Sequence, residues 1–341
     1  MRVARLVAGT GLLSLLAACG SSGLPVRSGA AGHTATTSKA VPLTPESAQR
    51  IFSSFVPRFE TMASDKALIP KLTMGAQEQG EEFFGGQWGP TLGSLASEQV
   101  FVTKQAGYPR WFLGSGRASG NTGVFFVMVQ QSPSAAWRCA AEMLDYGGTS
   151  QTRTALSYVN VDSAGYAPAV SPTDSSLAVP PSALAQAYTG YLNRLGRGGG
   201  PPFAPGENTT SYISTNKKLF TGASRYGWRI TDHQQTTALP VYSMGIGPGA
   251  IVIFITRDTT VWHALSSSAV LNPPASSAAA YYAPPALLTK GIGAASVRAG
   301  FALTAVTMNR VLALVPPQGK SKIDVALYTG QAVSVTHSGP S

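Results

Sequence analysis

Tyr108-Pro-Arg-Trp-Phe-Leu-Gly114, a short glycine-bearing loop and the apolar run Val124-Phe-Phe-Val-Met-Val129 are followed by a lone tryptophan, Trp137. Much later the same plan returns: Leu239-Pro-Val-Tyr-Ser-Met-Gly245, then Pro248-Gly249, then Ile251-Val-Ile-Phe-Ile255 and Trp262. Each copy reads as strand, glycine turn and β-branched strand, the signature of an antiparallel hairpin. The proline near the start of each first strand is tolerable, because the first residues of a strand need not donate to the ladder.

Working outward, each hairpin is preceded by a helix. Thr44-Pro45-Glu46 offers a hydroxyl cap and a proline for the first turn. Beyond it Ile51, Phe55, Phe59 and Met62 recur at helical spacing on one face. Val179-Pro-Pro-Ser182 opens the second helix, with Leu184, Tyr188, Tyr191 and Leu195 on its face. Aligning Pro45 on Pro181 brings Phe52 onto Tyr188 and Phe55 onto Tyr191. Downstream, the first copy adds a strand to about Leu144 and a shorter pair around Ala155 to Ala169. The second adds strands at Phe301 to Thr307, Arg310 to Val315 and Lys322 to Tyr328, after a Ser/Ala/Pro-rich insertion of about 265–290 that holds Tyr281-Tyr282. The fold class expected is therefore α+β: two tandem cone-like domains, 43–172 and 173–341, each with N-terminal helices packed on a curved antiparallel sheet.

The N-terminus reads as an address. Arg2 and Arg5 precede an apolar run that ends Leu16-Ala17-Ala18-Cys19, too short to span a bilayer and remain there. Residues 1–18 are expected to be a lipoprotein signal peptide. Cys19 would be the lipidated first residue of the mature chain, with diacylglycerol on its sulfur and a further acyl chain such as palmitate. Two acyl chains suffice for stable anchoring where one is marginal. Residues 19–42 are Gly, Ser, Ala and Thr with few apolar groups, a flexible tether with a reach of ~25 Å. The localisation expected is the extracytoplasmic face of the bacterial cell membrane.

Composition excludes several classes. Charged residues make up 12% of the 341 residues, mean hydropathy is +0.08 and the formal charge is +10, which rules out a coiled coil and a chain disordered by excess charge. Losing the signal peptide would leave +8, spread along the chain without a nucleic-acid arm; no nucleic-acid partner is expected. Two cysteines, Cys19 and Cys139, cannot build a disulfide framework. Cys139 reads as a packed, unreactive thiol within Trp137-Arg-Cys-Ala-Ala141.

The four histidines form no His-Glu-x-x-His, Gly-x-Ser-x-Gly is absent, and Gly196 to Gly200 lacks the Lys-Ser/Thr ending of a phosphate loop. No metal, cofactor or catalytic residue is assigned. The nearest approach to catalytic chemistry is Asp232-His233 with His263 and Arg229, but neighbours on a strand point to opposite faces. Glu81-Glu-Phe-Phe84 reads as a helix whose phenylalanines pack inward. Tyr108, Trp111, Trp137, Tyr242 and Trp262 are either core residues or a surface for stacking a ligand.

Leu43-Thr-Pro-Glu46, Tyr108-Pro-Arg-Trp-Phe112, Trp137-Arg138, Gly165-Tyr-Ala167, Phe203-Ala-Pro-Gly206 and Val315-Pro-Pro-Gln-Gly319 resemble the matching stretches of a family of secreted actinobacterial lipoproteins containing a domain of unknown function. The resemblance covers nearly all of the mature chain and brings no activity with it. Each half is further similar to the nuclear transport factor two-like cone, a scaffold of enzymes and binding modules alike. The function expected is a non-enzymatic binding or interaction module on the membrane, whose partner is another envelope protein or a small apolar ligand. The alternatives are an enzyme using one cone with a His/Asp acid-base pair, or a structural scaffold.

Overall fold

Helix α1, Pro45–Glu60, starts as its sequence requires: the Thr44 hydroxyl accepts the Ser47 backbone N–H at 3.2 Å, Pro45 fills the first turn and Glu46 faces the positive end of the helix dipole. The computed structural model that contains it describes residues 42–339 apart from 87–91, 93–94, 119–120, 146–155, 274–276, 279–282 and 285–296. The expected signal peptide, Cys19, the expected tether up to residue 41, Tyr281-Tyr282 and half of the expected insertion lie outside the described residues.

The buried face of α1 is Ala48, Phe52, Phe55, Val56 and Phe59, centred one residue beyond the expected face, so that Ile51 is only half-buried. This helix lies on a four-stranded antiparallel sheet of β1 (Ala96–Val102), β2 (Arg110–Arg117), β3 (Gly123–Gln130) and β4 (Arg138–Asp145), in that order. Close approach depends on Gly114 of β2, where an added Cβ would stand 2.5 Å from the Phe52 ring. Two short helices, α2 (Ile69–Leu72) and α3 (Ala76–Phe84), follow α1.

The second sheet contains β5 (Trp228–Thr236), β6 (Tyr242–Ile246), β7 (Gly249–Ala264), β8 (Ala302–Val315) and β9 (Asp324–Ser338). Its order is β5-β7-β8-β9, with β6 continuing the β5 edge by pairing with the first residues of β7. Helix α4, Pro181–Asn193, packs on it through Leu184, Tyr188 and Leu192, and α5, Tyr212–Gly222, adds Leu219 and Phe220 farther along. Leu195, expected on the α4 face, lies past its end in a left-handed conformation and is exposed. The two residues aligned by sequence play matching parts: Phe52 meets Phe126 of β3 at 5.7 Å, and Tyr188 meets Phe254 of β7 at 5.9 Å.

One expectation about the strands needs correction. Phe301 to Thr307 and Arg310 to Val315 are not two strands but the single β8, paired with β7 without a break from Ala302 to Val315. Met308-Asn309 holds no turn residue that requires a positive φ, and the buried Asn309 amide reaches Gln234 on β5 at 3.4 Å. Between residues 156 and 169 there is a helical turn and isolated bridges in place of the expected strand pair.

Alternation along the strands gives the layers. In β3, Val124, Phe126 and Met128 point to α1, while Phe125, Val127 and Val129 point the other way. In β7, Ala250, Val252 and Phe254 point to α4, while Ile251 and Ile253 point away from it. The faces turned from the helices meet each other, so Leu113, Val127 and Met143 pack with Ile251, Ile253, Leu312 and Leu327 in one core. The order is helix, sheet, sheet, helix, within one compact unit running from Ala40 onward. Burial on both faces accounts for the near-continuous apolar runs that an antiparallel sheet with one wet face would not carry. The mixed helix and sheet content is that of an α+β protein.

Candidate functional site

Helix α3 sets the most unusual chemistry in the protein. Gln77 and Glu81 lie one turn apart on its buried face, and both are completely enclosed. Gly80 between them permits this, because an added Cβ would overlap the Gln331 side chain of β9. The Gln77 amide donates to Glu81 Oε1 at 2.7 Å, and its oxygen accepts the Glu142 backbone N–H at 2.9 Å. Arg310 of β8, also fully buried, donates to the carbonyls of Met308 at 3.0 Å and Ala76 at 2.9 Å, fastening the start of α3 to the second sheet. The result is two carboxyl groups and one guanidinium where α3, β4, β8 and β9 meet.

Burial, reinforced by the charge of Glu81, pushes the Glu142 carboxyl up to about 8, against the pull of Arg310 and the Gln77 hydrogen bond. Glu142 is therefore neutral at pH 7, and a single guanidinium need not balance two anions. Burial lowers Arg310 to about 10, opposed by Cys139, Glu142 and Glu81, so it stays cationic. Cys139 of β4 is enclosed beside them, and burial pushes its thiol well up, which leaves it inert as a nucleophile.

The expectation for Glu81-Glu-Phe-Phe84 is corrected here: Glu81 faces inward, while Phe83 is 37% exposed and stacks edge-on against Phe84 at 5.0 Å. Helical spacing of Ala76, Gln77, Gly80 and Glu81 gives α3 a small and polar inner face, a signal that a search for apolar periodicity passes over.

A second polar group lies beneath α5. Asp232 and Gln234 of β5 stand opposite Thr260 and Asp258 of β7. Thr260 Oγ1 donates to Asp232 at 3.0 Å, and the Gln234 amide donates to the Tyr212 hydroxyl at 3.1 Å. Asp258 is buried, and that burial, with Asp232 sharing a hydrogen bond, holds its carboxyl far above the usual range. A cavity of about 140 Å³ adjoins, lined by Asp232, Tyr212, Asn193 and Asn216. His233, next in sequence, points to the opposite face and is exposed, and His263 lies on that same outer face opposite Arg229.

The aromatic candidates are dispersed. Trp111 and Tyr242 stack at 5.3 Å between the two sheets. Trp137 packs on Phe112 at 5.1 Å beneath α1, and Trp262 sits in the core below α5. Tyr108 is half-buried with the Arg110 guanidinium 4.4 Å from its ring centre. The larger open spaces are surface grooves. One of about 860 Å³ runs along β1 and includes Pro45, Glu98 and Arg117. Another of about 680 Å³ lies between the β6–β7 and β8–β9 turns and is walled by Tyr158, Ile246, Pro248, Leu314, Pro316 and Pro317. Among the described residues no group of three or more His, Cys, Asp or Glu could hold a metal, and no helix is long and apolar enough to cross a membrane.

This layered body coincides with a known sequence family: residues 89–338 match the model described as a domain of unknown function, DUF8094. The chain belongs to the DUF8094 family. Outside the family model, an uncharacterized lipoprotein of Streptomyces coelicolor is 29% identical over 129 residues, which is 37% of this chain and 36% of that protein. The match thus spans about a third of the relative's length. No solved structure matches the chain. The DUF8094 segment begins after α3, so the helix that carries Gln77 and Glu81 lies outside it, whereas Glu142, Arg310 and Gln331 lie within.

Proposed function

We propose that this DUF8094 protein is a lipoprotein held on the extracytoplasmic face of the cell membrane by acylation of Cys19, and that its folded part is a non-enzymatic interaction module. The observation that carries the second half is the filling of the sheets. Among the described residues, both faces of each sheet carry packed side chains, in cores that take up Trp111, Trp137, Tyr242 and Trp262. The spaces of about 860 and 680 Å³ are open grooves, suited to a partner's surface and not to an enclosed substrate. Glu142, with its shifted acidity, is sealed within that packing. The lipoprotein half rests on Leu16-Ala-Ala-Cys19 and on the similarity to a Streptomyces lipoprotein. In each half, a helix followed by a four-strand path suggests two units related to the nuclear transport factor two-like cone, joined through their sheets.

Asp258, buried beside Asp232 and the small cavity that Asp232 lines, supports a second reading, an enzyme that uses the protonated Asp258 carboxyl as general acid. Native mass spectrometry of protein released from its own membrane separates the two halves of the proposal. A mass equal to the chain from Cys19 plus diacylglycerol and an acyl group supports the anchor, and the uncleaved, unmodified mass overturns it. A co-purifying second polypeptide supports an interaction module. Loss of a turnover activity in Asp258→Asn would overturn the non-enzymatic reading.

A further inference from the structure

The two most exposed large apolar side chains among the described residues come from one short segment: Tyr158 is 60% exposed and Val161 50%. This segment is shared between the two grooves. Leu156, Ser157, Val159 and Val161 line the groove that also contains Pro45, where the chain from Cys19 enters the fold, and Tyr158 and Asn160 line the neighbouring one. Around Tyr158 that second groove presents Pro248, Pro316 and Pro317, with exposed Lys320 and Lys322 at its rim; the acid that lines it, Asp324, is half-buried. An amphipathic aromatic, rigid apolar turns and two lysines form the composition of a surface that rests at the boundary of headgroups and acyl chains.

We propose that this end of the molecule, centred on Tyr158, Val161, Lys320 and Lys322, lies on the anionic surface of the membrane that carries the anchor. The inference rests on the lipoprotein reading and extends it from attachment to orientation. The argument for a membrane as occupant is where the chain outside the structure ends. Between Cys19 and Pro42 the composition gives a root-mean-square span of ~25 Å, and Pro45, just beyond it, lines the groove that also holds Val161. A tethered surface faces a high effective concentration of headgroups, so a contact too weak to recruit a free protein is enough to orient an anchored one. Lysines near an anionic leaflet contribute about 1 kcal/mol each, about fivefold in binding.

The test uses the full chain with Cys19→Ser, which removes the anchor, and vesicles of phosphatidylcholine alone or with an equal part of phosphatidylglycerol. The expected result is cosedimentation with the mixed vesicles only, weakened about fivefold by Lys320→Ala or Lys322→Ala and weakened again by Tyr158→Ser with Val161→Ser. At equal ionic strength, inorganic phosphate should displace the protein no more than sodium chloride does, because the occupant is a lipid surface and not free phosphate. As a second measurement, an environment-sensitive dye on Tyr158→Cys should shift on adding mixed vesicles, and the same dye on Lys217→Cys, exposed on α5, should not. No binding to mixed vesicles, binding indifferent to these substitutions, or displacement by phosphate beyond that by sodium chloride of equal ionic strength overturns the inference. An acylated wild-type chain whose unanchored form ignores vesicles would sink this orientation alone and leave the anchor standing; an unacylated wild type would sink the anchor and, with it, the orientation argued from it.

Discussion

Glu142 binds a proton that the unfolded chain would release at neutral pH, and this gives its environment a measurable sign. Its folded value of about 8 lies above the ordinary 4.5 of a glutamate, so between those limits the folded state holds more protons than the unfolded one, and stability must fall as pH rises. The Glu142 contribution is fully present below about pH 4.5 and is lost as pH passes 8. Asp258 shifts in the same direction through burial and Asp232. Glu142→Gln keeps the shape, removes the ionisation and leaves an amide oxygen that can still accept from Gln77. Thermal melting at pH 5 and pH 9 should show the wild type losing several degrees more than the variant, and the variant should be the more stable of the two at pH 9. Equal losses would mean that Glu142 is solvated or already ionised. No periodicity argument reaches such a residue, because Glu142 becomes unusual only when β4 is laid against α3 and β8, which are remote from it in the chain.

At the scale of single elements, the joint between α1 and the first sheet leaves no room at Gly114. Gly114→Ala should cost about 1–3 kcal/mol, the usual penalty of overpacking, since the new methyl would stand 2.5 Å from the Phe52 ring, which is itself wedged against Phe126. Denaturant midpoints check this, and Phe52→Leu in the same chain should recover part of the loss by making room. Elements were legible where local rules speak alone: the Thr44-Pro45 cap, the apolar faces of α1 and α4, and the hairpins flanking Gly114 and Pro248-Gly249. They were less legible where tertiary contacts decide. Asn309 reads as a break between strands but runs straight through β8, because Gln234 supplies a partner for its buried amide. Phe83-Phe84 reads as a buried pair, yet the inner face of α3 goes to Gln77 and Glu81. In the sequence the five aromatic candidates look alike, and only the layer order separates Trp111 and Tyr242, stacked between the sheets, from Trp137 and Trp262 under the helices.

For the molecule as a whole, the decisive feature is the shared middle core. Cutting between Ser171 and Asp174, an exposed turn between the sheets, would strip Leu113, Val127 and Met143 from one half and Ile251, Ile253 and Leu312 from the other. Each half would also lose one member of the Arg310–Ala76 fastening. We expect neither half to stay soluble alone and both to associate when produced together; a folded, monomeric first half in solution would show that its sheet can leave that face wet. The pattern Val124 to Val129, apolar at every position, hinted that both faces are covered, but no local signal says by what. The same enclosure gives Cys139 a use unrelated to chemistry. With its sulfur inside the core beneath α1, the thiol meets a reagent only when the fold opens. The Cys139 labelling rate, read as added mass on protein in intact cells, would then act as a clock for unfolding in the envelope. It should stay near zero under native conditions and accelerate in Gly114→Ala, with no tag introduced to report it.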